Sequence, residues 1–357
     1  MKRIALLTSG GDCQSLNATM RGVAKTLYHN MDEVEIYGIQ DGYKGLIYGN
    51  YKKMKPSDFS GILTQGGTII GTSRQPYKLM NVPDDNGLDK VKAMKANYKK
   101  MKLDCLVIMG GNGTHKTANL LSEEGLNVVT CPKTIDNDIW GTDMTFGFQS
   151  AVDIATKAID CIHTTAASHG RVFIVEVMGH KVGWMTLHAG IAAGADIILL
   201  PEIPYDIDKV VGAIQNRTQQ GKRFSILAVA EGAISKEDAA LTKKEYKKKL
   251  KNMPYPSIAY KVGKEIEEKT GQEIRITVPG HTQRGGEPCP YDRVISTRFG
   301  IEAANLIIKQ KYGYMVALQN NDIISVPLKE VAGKLKTVDP NSSIVQEAKA
   351  LGICFGD

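Results

Sequence analysis

Residues 103–125 read LDCLVIMGGNGTHKTANLLSEEG, and the order of residue types in them points to one architecture. An apolar run rich in branched aliphatic side chains has the length and character of a strand buried on both faces. Gly110 and Gly111 break it, and in HKTANLLSEEG apolar side chains then recur at helical spacing. The same sequence of strand, glycine turn and helix occurs upstream, where RIALLTSGG (3–11) leads into NATMRGVAKTLYH (17–29). Downstream, LNVVTCPKTIDND (126–138) is a strand ending in a polar loop, and GFQSAVDIATKAIDCIH (147–163) is a long helix. After it the pattern restarts with RVFIVEVMG, ADIILLPEIPY, RFSILAVAEG and EIRITVPGHTQRGG. This alternation predicts an α/β fold of two Rossmann-like lobes with mostly parallel sheets, joined near residues 145–150.

In open sheets of this kind ligands bind at the carboxyl ends of the strands. Polar motifs stand at six such ends: Gly10-Gly11-Asp12, Gly110 to Thr114, Thr134 to Asp138, Met178 to His180, Glu231, and His281 to Arg284. They predict an active site in the cleft between the lobes.

Composition narrows the chemistry. Of 357 residues, 42% are hydrophobic and 23% charged, and the 36 glycines allow many tight turns. A net charge of +7 is mild and suits a binder of small phosphorylated ligands at least as well as a nucleic-acid protein. The densest basic run, KKEYKKKLKN (243–252), carries Tyr246 and Leu250 four residues apart and reads as a solvated helix face. The six cysteines form no CxxC pair and no cluster with histidine, which argues against structural zinc and a disulfide framework and for a reducing, cytoplasmic setting. No apolar run approaches the length of a membrane span, so neither a membrane nor a nucleic-acid partner is expected.

The two Gly-Gly loops free backbone N–H groups at helix starts, where anions bind, but neither is a dinucleotide fingerprint or a P-loop. TIDND is more specific. Asp136 and Asp138 alternate along an extended loop, so one carboxylate can serve a reacting hydroxyl and the other a cation. Mg²⁺ is commonly held by one or two carboxylates together with substrate phosphates. Arg74, Arg171, Arg275 and Arg284, at strand ends or turns, offer the bidentate geometry that phosphate recognition uses. His281, in PGHTQRGG, reads either as a donor to a phosphate or as a packed histidine.

TSGGD, GGT-x-x-GTSR, GGNGT, PKTIDND, VEVMG, EIPY, GHTQRGG and YDR occur in this order and spacing from residue 1 to about 310. Together they resemble the phosphofructokinase family, which phosphorylates fructose 6-phosphate at its 1-hydroxyl. The resemblance implies a donor lobe of residues 1–147 with about 283–333, and a sugar-phosphate lobe of 148–282 with about 334–357. It implies a cytoplasmic, glycolytic homotetramer whose active sites are shared between subunits. Asp136 would be the general base, Asp138 the Mg²⁺ carboxylate with position 112 as its companion, and Thr134 a contact to the transferred phosphoryl group and the sugar. Gly11 and Arg74 would hold the donor phosphates, while Tyr43, Gly110, Gly111, Asn112, Gly113, Thr114 and Lys133 would border the donor. Met178, Gly179, Glu231, His281 and Arg284 would grip the sugar phosphate, with Arg171 and Arg275 reaching in from the adjacent subunit. Such parts suit phosphoryl transfer, in which positioning and charge neutralisation do nearly all the work.

Three positions depart from the family pattern. Asn112 replaces an aspartate, which removes a negative charge and predicts weaker Mg²⁺ binding. His180 replaces an arginine that stabilises transition-state charge, a loss worth roughly 10²–10³ in rate for one such contact; activity is expected to be low, or to rise toward acidic pH, unless Lys181 substitutes. Gln14-Ser15 replaces Pro-Gly near the donor phosphates. For the donor, Gly113 leaves room for a nucleotide, whereas Lys133 is typical of pyrophosphate users; the pair together favours ATP. The alternatives are a pyrophosphate-dependent phosphotransferase and a weakly active or non-catalytic regulatory paralogue. Of the family's allosteric site, Arg21, Lys25, Asp196 and Lys222 match, while His163 and Gln220 replace basic residues.

Overall fold

The first apolar run forms β1 (Lys2–Thr8), buried throughout its last five residues because strands pair with it on either side. The chain turns at Gly10, whose φ of +84° an L side chain rarely adopts, and enters α1 (Leu16–Asn30). Next come β2 (Val34–Ile39), α2 (Tyr43–Tyr48), β3 (Tyr51–Met54) and α3 (Lys90–Lys100). The stretch at 103–125 is β4 (Cys105–Gly110) and α4 (Asn112–Glu123), followed by β5 (Val128–Pro132) and α5 (Phe148–His169). Then follow β6 (Val172–Val177), α6 (Trp184–Ala192), β7 (Ile197–Leu199), α7 (Ile207–Gln219) and β8 (Ser225–Ala230). After them lie α8 (Lys236–Ala239), α9 (Lys243–Lys251), α10 (Ile258–Thr270) and β9 (Ile274–Thr277). The chain ends with α11 (Pro290–Ile308), β10 (Tyr314–Gln319), β11 (Asp322–Pro327), α12 (Leu328–Val331) and α13 (Ser343–Ala350).

This computed structural model describes residues 1–357, which divide into two compact units. One comprises Met1–Ser150 with Arg284–Lys336, the other Ala151–Gln283 with Thr337–Asp357. The first holds a seven-stranded sheet in the order β11-β10-β5-β4-β1-β2-β3. Its five inner strands are parallel, and only the edge strands β11 and β3 run antiparallel. From β1 the chain moves to β2 and β3 on one side and then to β4 and β5 on the other. That reversal opens a crevice at the carboxyl ends of β1 and β4, the place where such sheets bind ligands. Helices α1 and α11 cross on paired glycines: a Cβ at Gly300 would lie 2.4 Å from the Thr19 carbonyl, and one at Gly22 2.8 Å from that of Thr297.

The second unit holds an all-parallel sheet in the order β7-β8-β6-β9. The C-terminal tail returns along β7, where Ile198 N donates to the Cys354 carbonyl (2.9 Å) and Cys354 N to that of Asp196 (3.1 Å). Both sheets agree with the α/β reading. Two details differ from it. Helix α4 begins at Asn112 rather than at the first periodic residues, so Asn112 and Gly113 form its first turn. β2 and β3 escape a search for long apolar runs because β2 is half-buried and β3 is an exposed edge. No helix is long and apolar enough to cross a membrane.

Candidate active site

In the first unit, the loop after β1 is tied to two other segments. Ser9 N donates to the Met109 carbonyl (2.9 Å), Gly10 N to that of Ser73 (3.0 Å), and Thr72 Oγ1 to that of Gly10 (2.8 Å). These bonds hold residues 72 and 73 against Gly10, with the exposed Arg74 next in the chain. Two cations converge on this loop. Arg284 donates through Nη1 to the Asp12 carbonyl (3.0 Å), and a Cβ at Gly11 would meet the same nitrogen at 2.7 Å, so the guanidinium occupies the space that glycine leaves. Its Nε is buried without a hydrogen-bond partner. Lys133, only 3% exposed, donates through Nζ to the Gly11 carbonyl. Burial, helped by the nearby Arg284, pushes the Lys133 ammonium down to about 8 against the pull of Cys13 and Asp136. A desolvated lysine beside an arginine with an unsatisfied N–H has the chemistry to accept a polyanion. Arg284 ends the turn Gly280–Arg284, and its guanidinium lies on Gly11 and Asp12.

The other wall of the β1/β4 crevice is the start of α4. Gly111 is its N-cap, so the first N–H groups of α4 lack intrahelical partners. Gly110 accommodates Thr114, whose Cγ2 would lie 2.3 Å from a Cβ there. Gly113 is exposed, and nothing lies within 4 Å of a Cβ built on it. Tyr43 does not face this space: it is fully buried and donates its hydroxyl to the Thr114 carbonyl (2.9 Å), bracing α4 from within the core. His115 donates through Nδ1 to the Gly111 carbonyl (2.9 Å), and burial pushes it down to about 4, which keeps it neutral.

Asn112 and Asp138 meet, in a manner the sequence did not indicate. Asn112 Nδ2 donates to Asp138 Oδ2 (2.8 Å) and to the Asp138 carbonyl (3.1 Å). The amide nitrogen, not the carbonyl oxygen, therefore faces the carboxylate, and Asn112 orients Asp138 rather than standing beside it as a second metal ligand. Within TIDND, Thr134 Oγ1 donates to Asp136 Oδ2 (3.2 Å) and accepts from Asp136 N (3.1 Å), which fixes a half-buried carboxylate. Asn137 between the aspartates adopts φ +54°. Its Oδ1 accepts from Thr145 N (3.0 Å) and from Lys336 Nζ (2.9 Å).

Lys336 is the residue sequence reasoning missed here. Its ammonium also donates to the carbonyls of Thr142 (2.8 Å) and Asp143 (2.9 Å), while its own N–H donates to the Asp138 carbonyl (2.9 Å). One lysine, 199 residues from Asn137, thus staples the whole aspartate loop. Burial pushes it down to about 8. No local pattern marks it, because its partners come from the fold. Asp292 of the YDR motif is similar: fully buried, it accepts from the N–H groups of Gly147 (3.1 Å) and Ser150 (2.8 Å) at the start of α5.

In the second unit, the turn after β6 is held by one carboxylate. Glu231 Oε1 accepts from Gly179 N (3.2 Å) and His180 N (2.5 Å), and His180 takes φ +54°. The fully buried Gln283 accepts from Met178 N (3.2 Å) and donates to the Gly280 carbonyl (3.0 Å), joining that turn to the one bearing the exposed His281. Gln283 lies inside GHTQRGG, and its place in that motif was the available signal. Arg171 and Arg275 are elsewhere: both pair with Glu273, Arg171 at 2.6 Å. Arg171 precedes β6, whereas Met178 follows it, so the strand separates them by roughly 20 Å.

A phosphofructokinase profile matches residues 3–307. A relative from Spirochaeta thermophila, described as an ATP-dependent 6-phosphofructokinase, is 55% identical over 359 residues, covering 100% of this chain and 98% of its own. One from Bacteroides thetaiotaomicron, described as ATP-dependent 6-phosphofructokinase 3, is 48% identical and covers 99% of this chain and 100% of its own. The structure of phosphofructokinase from Saccharomyces cerevisiae superposes with a TM-score of 0.79 at 30% identity, covering 99% of this chain; the chain spans 47% of that longer protein. The chain belongs to the phosphofructokinase family.

Proposed function

We propose that this chain phosphorylates fructose 6-phosphate at its 1-hydroxyl with ATP, giving fructose 1,6-bisphosphate and ADP in glycolysis. Its full-length relatives are described as ATP-dependent 6-phosphofructokinases, so the pyrophosphate-dependent alternative is not favoured. The geometric observation that carries the reading is the polyanion receptor at Gly11–Asp12, built from Lys133 and Arg284 in the same unit as the tethered Asp136. The open first turn of α4 at Gly113 supports a nucleotide as the donor.

In this reading the 1-hydroxyl oxygen attacks the γ-phosphorus, the bond to the ADP oxygen breaks, and the hydroxyl proton passes to Asp136. Thr134 holds that carboxylate in one orientation. Lys133, Arg284 and Arg74, with backbone N–H groups at Gly11 and at the start of α4, bind and orient the donor phosphates. Asp138 would hold a Mg²⁺ ion: one buried carboxylate, already oriented by Asn112, is what such a site draws from protein. When bound, the ion neutralises phosphate charge. On the acceptor side, Glu231, Met178, Gly179, His180 and His281 bind the sugar phosphate.

Arg171 and Arg275 belong in this scheme to a neighbouring subunit's site. Within one chain Arg171 stands at the wrong end of β6 to join Met178 and His180, which supports sites shared between subunits, as in a homotetramer. A cytoplasmic location and allosteric control belong to the same reading. The test is direct. Purified protein, Mg²⁺ and fructose 6-phosphate are incubated with ATP or with pyrophosphate, and fructose 1,6-bisphosphate is detected through aldolase. Product with ATP is expected; product with pyrophosphate alone, or none with either donor, refutes the reading.

A further inference from the structure

The basic run at 243–252 forms α9, opened by a capping box between Thr242 and Glu245. None of its residues is buried, as a solvated face requires, yet Tyr246 and Leu250 both line cavities. One cavity, of about 330 Å³, is lined by Glu231, His180, Glu176 and Ser257 together with Tyr246, Leu250 and Met253. A second, of about 500 Å³, shares those last three residues and adds Lys249, Lys261 and Asp238. Tyr246, Leu250 and Met253 therefore form a wall between two empty spaces.

We propose that α9 is a movable wall of the acceptor site, and that Tyr246 and Leu250 close over the sugar and set how tightly it is held. The proposal rests on the reading that Glu231 and His180 face fructose 6-phosphate. Its first support is chemical. The 330 Å³ cavity offers two carboxylates and Ser257 Oγ, which is buried with no hydrogen-bond partner, opposite a tyrosine ring and two aliphatic chains. Carboxylates and hydroxyls bind sugar hydroxyls, and the apolar wall suits the C–H face of the ring.

Its second support is mechanical. Protein interiors pack densely, with few voids larger than water, so a wall with a cavity behind it is not locked by packing. What holds α9 is electrostatic. Asp238, 5% exposed, takes Lys249 of α9 on one oxygen and Lys261 of α10 on the other (2.5 Å). The helix can then pivot on that anchor, Tyr246 retreating into the space behind it when the acceptor site opens and returning over the sugar when it closes.

Two measurements test this. The Tyr246→Ala/Leu250→Ala double variant is expected to raise KM for fructose 6-phosphate about tenfold, the effect of about 1.4 kcal/mol, with KM for ATP and kcat within about twofold. Lys247→Ala, on α9 but lining neither cavity, should match the wild type. In the unmodified protein, fructose 6-phosphate should slow tryptic cleavage within α9 at least severalfold, whereas ATP should not; Asp238→Asn should speed cleavage without sugar. Wild-type turnover combined with an unchanged sugar KM in the double variant overturns the wall alone. Absence of tryptic protection by fructose 6-phosphate overturns it even if the protein proves inactive, an outcome that would separately refute the assigned reaction.

Discussion

Replacing Lys133 by methionine separates the stability of this site from its function. Lys133 is buried with no carboxylate salt bridge, and its ammonium sits at about 8 instead of 10.5 chiefly because burial strips it of water. That depression corresponds to about 3 kcal/mol of cost to the folded protein while the lysine is charged. Below pH 8 the whole cost is present. Between pH 8 and 10.5 the folded lysine releases its proton before the unfolded one does, so the unfolded state binds more protons and stability rises with pH. Methionine fills nearly the same volume without charge. Lys133→Met should therefore be more stable than the wild type at pH 7 by up to about 3 kcal/mol, less the lost hydrogen bond to Gly11 of about 1 kcal/mol. The advantage should shrink steadily to pH 10. Donor binding should show the converse. A polyphosphate beside Lys133 restores the ammonium, so at pH 8 binding by the wild type takes up about half a proton, and by the variant none. Denaturant unfolding between pH 7 and 10, with calorimetry of ATP binding in two buffers of different ionisation enthalpy, reads both effects. A variant less stable than the wild type at pH 7, a stability difference flat with pH, or equal proton uptake would refute the reasoning.

Three further outcomes follow from the same geometry. Asn112→Asp places a second carboxylate about where the amide nitrogen lies, 2.8 Å from Asp138 Oδ2, a repulsion of about 6 kcal/mol at an effective dielectric near 20 before relaxation; the variant should melt lower without divalent cation and require less Mg²⁺ for half-maximal activity, and equal Mg²⁺ titrations would contradict this. Lys336→Met removes one donor from Asn137 Oδ1 and from two carbonyls, so kcat should fall about 10- to 100-fold, as small misplacements of reacting groups do; unaltered kcat would show that the aspartate loop holds its shape alone. Gly113→Asp meets open space at a helix N-terminus, where an acid is worth about 0.3–1 kcal/mol. Melting should hold or rise while KM for ATP increases more than tenfold, and an unchanged KM would remove Gly113 from the donor site.

The α/β class, the strand ends and the motif series were legible in the sequence because they are local. A buried parallel strand must be a run of apolar residues, and a sharp turn into a helix must have glycine. Chemistry concentrated at the ends of such runs, as in TIDND, is equally visible. What the sequence could not convey was which ends adjoin and which groups face each other. The motif holding Arg284 gives no sign that the fold lays its guanidinium against Gly11, where only glycine leaves room. Tyr43 read as a nucleotide neighbour, and the core claims it. The amide of Asn112 turns its nitrogen to Asp138 because a carboxylate accepts and does not donate. Lys336 carries no motif at all, and its role exists only because the chain returns 199 residues later to three oxygens that accept from its ammonium. Periodicity and turn chemistry act over a few residues and are written in order along the chain. Desolvation, hydrogen-bond partners and charge arise between segments distant in sequence, and only the tertiary structure brings those together.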